Sequence, residues 1–243
     1  MLAHRTLVHT PNPARKKKLF MTPTLMHRVQ LKRVFDVLFA FAGLLIALPL
    51  MLVIAAAVCA GDRGPALFAQ ERVGWRRRPF RMLKFRTMGR HAERTTGPTW
   101  SWEGDPRVTP IGRILRATHL DELPQLWNVL CGEMSLVGPR PERAVFVDKL
   151  EQVIPGYINR LAIRPGITGL SQLRNGYDES LRSVRRKIRY DLLYVRRGCT
   201  LLDAMILLDT ILLAVGLSGG LALRKVAVRM NPPRRPYLRT LRS

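Results

Sequence analysis

The sequence predicts a small, mostly helical α+β domain on a membrane helix that a proline breaks, with amphipathic helices at the membrane interface. Three observations lead to this fold class. The longest apolar run, Val37–Ala60, has Pro49 near its middle. Residues 79–88 alternate partly as a strand does, and apolar side chains recur at helical spacing in residues 181–195. The chain of 243 residues is long enough for one domain with a real core.

Composition and charge divide the chain into four parts. We assign residues 1–30 to a basic, flexible N-terminal arm, 31–61 to the membrane helix, 62–222 to the folded domain with its interfacial helices, and 223–243 to a basic tail. The arm lacks the long apolar core that a secretory signal requires.

The apolar run Val37–Ala60 is predicted to enter a membrane, since about 20 apolar residues suffice to cross a bilayer. Pro49 removes a backbone hydrogen bond, and basic residues flank both ends of the run, which keeps both ends on the same side of the membrane. We therefore favour a re-entrant helix whose halves, Val37–Leu48 and Leu50–Ala60, are each about 17 Å long. A tilted full span and a buried helix of a soluble domain are the alternatives.

The start of this helix carries Asp36, which needs headgroups or a cation such as Arg33 beside it. For the remaining chain the patterns predict, in order, a strand at 79–88, a loop at 91–105, a helix at 120–130, rigid turns at 135–141 and 164–170, a basic amphipathic helix at 181–195, and an apolar helix at 201–221. Asp203 and Asp209 interrupt the last helix, so we expect it to lie on the membrane or to pack on the domain.

The charge balance indicates an anionic partner. Lys and Arg number 41 against 17 Asp and Glu, which gives a net charge of +24. Nucleic acid, anionic lipid headgroups and phosphorylated substrates all fit such a chain. The three cysteines are scattered and form no C-x-x-C pair, and the five histidines show no metal-ligand spacing, so the sequence predicts neither a disulfide framework nor a zinc site.

The acidic pair Asp121–Glu122 is the strongest candidate for chemistry. Pro124 is tolerated only in the first turn of a helix, which places both acids at or just before a helix N-terminus. One interpretation is an ordinary N-terminal cap, and the other is catalysis. Phosphate loops, dinucleotide fingerprints, H-E-x-x-H and G-x-S-x-G motifs are all absent from the sequence.

Many cations surround the acidic pair along the chain. They are Lys84, Arg86, Arg107, Arg113, Arg116, Arg140 and Arg143. Gly138-Pro139-Arg140-Pro141 places one of these arginines in a stiff turn, which lowers the entropy cost of a bidentate phosphate contact. Two carboxylates among many cations suit a Mg²⁺–diphosphate substrate, with one carboxylate on the metal and the other poised to attack phosphorus. A solvated basic surface near anionic lipid is the alternative.

Taken together, the motifs resemble the bacterial sugar transferase family, the monotopic phosphoglycosyl transferases, over about residues 30–215. The segments that carry the resemblance are 32–36 (KRVFD), 64–74 (GPALFAQERVG), 84–88 (KFRTM), 105–109 (DPRVT), 120–129 (LDELPQLWNV), 134–141 (MSLVGPRP) and 164–170 (RPGITGL). Each motif alone is weak, but their order along the chain is specific.

The resemblance implies a reaction. A UDP-sugar gives its sugar-1-phosphate to a polyprenol phosphate in the bacterial inner membrane, UMP leaves, and exopolysaccharide, O-antigen or glycoconjugate synthesis begins. By resemblance Asp121 is the nucleophile, Glu122 binds Mg²⁺, and Arg140 contacts the nucleotide phosphate. Lys84 and Arg86 are expected at the active site, and we add Arg116 to the substrate-binding candidates. The catalytic domain is expected to face the cytoplasm.

The sequence departs from the family pattern at four places: Leu48 replaces a polar residue before Pro49, His119 the usual Ser or Thr, Cys131 a frequent lysine, and 175–177 (NGY) a frequent Gly-Arg. A membrane-tethered basic module for nucleic acid or another anionic polymer is the competing hypothesis. It is disfavoured because aromatic residues make up only 7% of the chain and do not interleave with the basic residues, so no nucleic acid partner is expected. A non-enzymatic scaffold is a third hypothesis. The sequence leaves the sugar and the oligomeric state open.

Overall fold

The computed structural model of the protein describes residues 23–90, 92–93, 97, 99, 102, 104–174, 181–214 and 216, with side chains from residue 30 onward. In chain order the elements are α1 (Pro23–Asp62), β1 (Leu67–Val73), β2 (Pro79–Phe85), α2 (Pro110–Ala117), α3 (Gln125–Leu130), β3 (Ser135–Val137), α4 (Ala144–Val153), β4 (Gly166–Thr168), α5 (Leu170–Arg174), α6 (Leu181–Arg197) and α7 (Thr200–Ala214). Short 3₁₀ helices lie at Trp75–Arg77, Leu120–Glu122 and Tyr157–Ala162. The predicted mostly helical α+β class is confirmed.

The long helix α1 runs through Pro49 without separating into the two predicted halves. A proline removes one hydrogen bond of the helical ladder, and the bonds on either side of it continue. The helix begins at Pro23, within the segment 1–30 that the sequence assigns to the arm. Its part Gln30–Asp62 is long and apolar enough to cross a membrane, judged by length and composition alone.

One stripe of α1 packs on the domain, and the rest of its surface is exposed. Ala40 lies in a cluster with Val129 of α3, whereas Ile54 and Val58 pack with Phe85 of β2. These three α1 positions are buried and follow the helical repeat, so a single face of the helix contacts the domain. The largest apolar side chains outside the stripe are exposed; they include Phe39, Phe41, Leu45, Ile46, Leu52 and Val53.

Polar contacts near the start of α1 also attach it to the domain. Arg33 donates hydrogen bonds to the carbonyls of Val129 and Leu130 at the C-terminus of α3. The Asp36 carboxylate accepts a hydrogen bond from the Leu136 backbone N–H at 3.0 Å. Its ion-pair partner, at 3.9 Å, is Lys32 rather than the predicted Arg33. Arg33 is directed to α3 instead, where basic side chains commonly bind the last carbonyls of a helix.

The strand predicted at 79–88 is confirmed over Pro79–Phe85, where β2 pairs with β1 in an antiparallel hairpin. The register pairs Leu67 with Phe85 and Val73 with Pro79. Of the predicted loop 91–105, the described residues belong to no helix or strand. Residues 120–130 form a 3₁₀ turn followed by α3, rather than the one helix that the spacing predicted, because Pro124 separates the two.

The two segments predicted as rigid turns each contain a short strand. Ser135–Val137 and Gly166–Thr168 pair in parallel as β3 and β4. Three-residue strands are too short to show an alternating pattern, which explains why the sequence missed them. Gly138 and Gly166 allow these two segments to approach closely, since a Cβ on Gly166 would lie 2.0 Å from the Gly138 nitrogen.

The two C-terminal helices pack on this parallel pair. The amphipathic helix predicted at 181–195 is confirmed as α6. Ile206 of α7 lies in a core cluster with Val137 of β3 and Tyr194 of α6. Asp203 and Asp209 on α7 are buried, and Asp203 accepts hydrogen bonds from Lys32 of α1 and Tyr194 of α6. The α7 helix thus packs on the domain with one face. Its other face exposes apolar side chains at positions 201, 208, 211 and 213.

Candidate active site

The acidic pair lies in the 3₁₀ turn that precedes α3, as the position of Pro124 predicted. Pro124 stands at the N-cap of α3, and His119 begins the turn with a left-handed backbone (φ 57°). Left-handed geometry is uncommon outside glycine, and here it reverses the chain between α2 and the turn. The result is that Asp121 is buried while the His119 side chain points outward and is exposed.

Lys84 links the acidic turn to the hairpin. Its ammonium group, from β2, lies 2.7 Å from Glu122 Oε1 and 3.4 Å from Asp121 Oδ2. Among the described residues, Lys84 is the one cation within ion-pair distance of Asp121. Asn128 of α3 fixes the strand beneath, because its side-chain oxygen accepts from Leu83 N–H and its amide donates to Arg81 O. Lys84 is therefore held in place by the backbone of β2.

Arg140 binds the other acid in a bidentate manner. Its guanidinium nitrogens Nη2 and Nη1 lie 2.5 and 3.2 Å from Glu122 Oε1 and Oε2. Burial raises the pKa of the Glu122 carboxyl, but the charges and hydrogen bonds of Arg140 and Lys84 outweigh it, so this pKa lies far below its ordinary value. The Glu122 charge in turn raises the pKa of Arg140. The Glu122 carboxylate is thus ionised, and the two cations Lys84 and Arg140 balance its charge.

The structure gathers Asp121, Glu122, Lys84 and Arg140 into what we call the outer cluster. It does not bring Arg86 or Arg116 into direct contact with the two acids. The Arg86 guanidinium is buried and donates to the Asp62 carboxylate at 3.0 Å, at the C-terminal end of α1. Arg116 donates from Nε to Thr87 Oγ1 at 2.9 Å. Arg86 and Arg116 thus bind Asp62 and Thr87, which are not members of the outer cluster.

Arg72 of β1 is a neighbour of the outer cluster that the sequence reasoning missed. Its Nη1 donates to Pro141 O, its Nη2 donates to Gln70 Oε1, and it lies 3.7 Å from the Glu142 carboxylate. Burial lowers the pKa of Arg72 to about 10 against the opposing charge of Glu142, and the charges of Arg140 and Arg143 lower it further. Its place in the segment 64–74, one of the recognised motifs, was the available signal.

Comparison with known proteins identifies the family of the chain. The sequence model of the family described as bacterial sugar transferase matches residues 26–216, a stretch that contains the whole outer cluster. The chain belongs to the bacterial sugar transferase family.

Relatives in this family are named for the reactions or products that they make. The UDP-N-acetylgalactosamine-undecaprenyl-phosphate N-acetylgalactosaminephosphotransferase of Aeromonas hydrophila is 41% identical over 74% of this chain and 43% of its own length. The UDP-glucose:undecaprenyl-phosphate glucose-1-phosphate transferase of Caulobacter vibrioides is 46% identical over 74% of this chain and 68% of its own length. The exopolysaccharide production protein PSS of Rhizobium leguminosarum is 38% identical over 74% of this chain and 93% of its own length.

These bacterial sugar transferases differ in length and in sugar. The chain spans less than half the length of the Aeromonas relative, and about two thirds of the Caulobacter one. Two of the relatives name different sugars, N-acetylgalactosamine and glucose. Family membership therefore leaves the choice of sugar open.

A divalent metal fits the outer cluster only together with a substrate. Within the part of the chain that the structure describes, no group of three or more His, Cys, Asp or Glu side chains could hold a metal ion. Mg²⁺ commonly uses one or two carboxylates and completes its shell with substrate phosphates and water, which Asp121 and Glu122 can satisfy. Both oxygens of Glu122 accept hydrogen bonds from Lys84 and Arg140, so these cations compete with the metal for that carboxylate.

Proposed function

We propose that the protein is a phosphoglycosyl transferase that moves a sugar-1-phosphate from a UDP-sugar to membrane polyprenol phosphate and releases UMP. The observation that carries the proposal is the outer cluster, in which a buried Asp121 lies beside a Glu122 that two cations neutralise. An N-terminal cap alone does not need a buried carboxylate with a lysine from another element beside it. The activities for which the Aeromonas and Caulobacter relatives are named support the same reaction class.

The first step of the proposed reaction is an attack by Asp121. A carboxylate oxygen forms a bond to the phosphorus that bears the sugar, the bond from that phosphorus to the bridging oxygen breaks, and UMP leaves with the electron pair. Lys84 orients the Asp121 carboxylate and neutralises charge on the phosphoryl oxygens. Arg140 binds a phosphate of the nucleotide through its planar fork.

The second step regenerates the enzyme. An oxygen of the ionised polyprenol phosphate attacks the same phosphorus, and the bond from phosphorus to the Asp121 oxygen breaks. The product is a polyprenyl diphosphate sugar, and no proton has to be removed from the acceptor. Glu122 would hold Mg²⁺, whose charge neutralises the diphosphate when the ion is bound. Arg86 and Arg116 adjoin the site and would add positive potential for the incoming diphosphate.

A UMP-release assay tests this function. The full chain in detergent or nanodiscs is incubated with Mg²⁺, polyprenol phosphate and a panel of UDP-sugars, with Asp121→Asn as the control. We expect UMP with at least one sugar. Without polyprenol phosphate we expect one equivalent of UMP and a phosphosugar adduct by intact-mass spectrometry, seen in the wild type alone. A panel that yields no UMP contradicts the activity, and turnover without an adduct contradicts the covalent step.

We also propose that α1 is re-entrant and that the domain lies on the cytoplasmic face of the inner membrane, on anionic headgroups. The support comes from contacts of both ends of α1 with the same domain. Arg33 binds the end of α3, Asp62 binds Arg86, and the stripe between them is buried at Ala40 and Ile54. A helix that crossed the bilayer would carry one of these contacts away from the domain.

Cysteine labelling tests this topology. Single cysteines at residues 30 and 63, in a chain whose three native cysteines have been replaced, are labelled with a membrane-impermeant maleimide in vesicles of both orientations. A cysteine at the exposed Arg185 of α6 marks the side of the domain. We expect all three sites to label from the same side, and labelling of residues 30 and 63 from opposite sides overturns the re-entrant topology.

A further inference from the structure

The turn that presents Arg140 is held through its backbone by other segments. Four consecutive carbonyls of the turn accept hydrogen bonds: Pro139 from Gly166 N at 3.0 Å, Arg140 from Arg160 Nη2 at 2.6 Å, Pro141 from Arg72 Nη1 at 3.3 Å, and Glu142 from Val73 N at 2.9 Å. The donor to the Arg140 carbonyl is the buried side chain of Arg160. This contact fixes the peptide from which the Arg140 side chain projects.

Arg160 is one of the most completely buried side chains among the described residues, with 1% of its surface exposed. Its Nε and Nη2 lie 2.9 and 2.8 Å from Asp191 Oδ2 on α6, and its Nη1 donates to the Tyr157 hydroxyl. Burial lowers the pKa of Arg160, but the charge of Asp191 outweighs it, so the group stays protonated. We call Arg160 and Asp191 the inner pair.

A buried ion pair is a costly way to stabilise a fold, since a well-packed apolar pair of similar volume often does as well or better. Its advantage here is directional. The guanidinium fork binds Asp191 and at the same time keeps a donor aimed at the Arg140 carbonyl, which a lysine with a single nitrogen cannot do with the same geometry. The arrangement therefore joins the position of α6 to the position of the Arg140 peptide.

We propose that Arg160, oriented by Asp191, is a positioning residue that sets the Arg140 guanidinium in its bidentate contact geometry. Arg160 touches no reacting atom and acts through the Arg140 backbone. The inference rests on the proposed function, because it assumes that Arg140 binds a substrate phosphate. A displacement of about 1 Å at such a contact lowers the rate by about 100-fold in other enzymes.

A double-mutant cycle on kcat/KM for UMP release tests the proposal. The cycle uses Arg140→Lys, Arg160→Lys and the double variant in the full chain, with Mg²⁺ and polyprenol phosphate present. We expect Arg160→Lys alone to lower kcat/KM by about 10- to 100-fold. In the Arg140→Lys background, where the fork is already lost, the same change is expected to lower it by less than about threefold.

Arg164→Lys is the matched control. Arg164 lies in the same segment and also donates to a backbone carbonyl, that of Gly132 at 2.8 Å, away from the Arg140 turn. Whatever this substitution does to kcat/KM, the factor should be the same with Arg140 and with Lys at position 140. If Arg160→Lys fails to fold, as judged by thermal unfolding, Asp191→Asn replaces it in the cycle. That variant keeps the donor and removes the charge that orients it.

The outcomes separate the inference from the function on which it rests. If Arg160→Lys lowers kcat/KM by the same factor with Arg and with Lys at position 140, the positioning role is overturned. An equal factor means that Arg160 acts independently of the Arg140 side chain. Wild-type kcat/KM in Arg160→Lys overturns it as well. Wild-type kcat/KM in Arg140→Lys instead contradicts the phosphate-binding role of Arg140 in the proposed function, and the inference falls with it. A loss with Arg160→Lys that disappears in the Arg140→Lys background supports the proposal.

Discussion

Two arginine–carboxylate pairs lie on either side of the same turn and have opposite surroundings. In Arg140–Glu122, the side chains retain 32% and 12% of their exposed surface, whereas Arg160–Asp191 retains 1% on each side. A partly exposed pair can exchange its partner for a substrate phosphate, since water and ligand reach it. The buried pair has no such exchange available. We therefore expect the Arg140–Glu122 pair to serve substrate binding and the Arg160–Asp191 pair to serve fixed geometry.

This difference separates two kinds of mutational effect. Changes in the outer cluster should affect the reaction and leave the fold nearly intact. Changes in the inner pair should first affect the fold, because removing one partner leaves an unpaired charge in the interior. Arg160 connects the two, since it donates to the Arg140 carbonyl.

The largest expected effect is on activity, from Asp121→Asn. An amide cannot act as the nucleophile, so we expect UMP release to fall by about 10⁴-fold or more. The fold should survive, since the one ion pair of Asp121 among the described residues is with Lys84 at 3.4 Å. Steady-state UMP release and thermal unfolding of the same preparation measure both. Full activity in Asp121→Asn contradicts the nucleophile assignment, and a large fall in melting temperature contradicts the separation of roles.

The second effect is on stability, from Asp191→Ala. This change leaves the Arg160 guanidinium buried without its carboxylate, and we expect the free energy of unfolding to fall by about 3–5 kcal/mol. Urea denaturation in one detergent, followed by tryptophan fluorescence, measures it. Glu122→Ala is the matched variant in the outer cluster, and its loss should be clearly smaller because Arg140 can then be hydrated. Equal losses in the two variants contradict the comparison.

The sequence predicted the outer cluster far better than the inner pair, and the reason is physical. Asp121, Glu122, Lys84 and Arg140 lie in motifs with a local signature: a proline just after two acids, a strand pattern around the lysine, and an arginine between two prolines. Such signatures report backbone constraints that act within a few residues. The structure brings all four side chains together, and their roles in the reaction stay a prediction.

Arg160 and Asp191 carry no local signature. They are 31 residues apart, and in the sequence Asp191 is simply one polar residue of a basic amphipathic helix. Only the packing of α6 against the turn before β4 makes them partners. The parallel pair β3–β4 escaped detection for a similar reason, because its register depends on a contact between distant glycines. The Asp62 partner of Arg86 also lacks a local signature, and the role of Arg86 in substrate binding stays a prediction.

A third, smaller effect concerns the metal. Glu122→Gln keeps the shape of the side chain but loses the charge that would hold Mg²⁺, so we expect the Mg²⁺ concentration for half-maximal UMP release to rise by about 10- to 100-fold. A Mg²⁺ titration at saturating UDP-sugar measures it. Asp62→Asn, which alters a carboxylate paired with Arg86 outside the outer cluster, serves as the control and should leave the Mg²⁺ requirement unchanged. An unchanged requirement in Glu122→Gln contradicts the role of Glu122 as metal ligand.

The smallest expected effect is a pH dependence of stability that belongs to the outer cluster. Arg140 and Lys84 hold the pKa of the Glu122 carboxyl far below its ordinary value in the folded protein. A carboxyl with a depressed folded pKa stabilises the fold fully above its unfolded pKa of about 4.3, and this contribution is lost as the pH falls further towards the folded pKa. The wild type should therefore exceed Glu122→Gln in melting temperature by a constant margin from pH 7 to pH 5. Below about pH 4.3 that margin should shrink.

Thermal unfolding of both proteins across this pH range, in the same detergent and at constant ionic strength, measures the margin. Added salt sharpens the comparison, because it screens a partly exposed pair more than a buried one. The margin of the wild type over Glu122→Gln should decrease in high salt, whereas the stability lost in Asp191→Ala should change little. A margin that stays constant down to pH 3 would mean that the pKa of the Glu122 carboxyl is not lowered in the folded protein, which contradicts its ion pairs with Arg140 and Lys84. A margin that resists salt as the inner pair does would mean that Glu122 and Arg140 are bound too firmly to exchange their contact for a diphosphate.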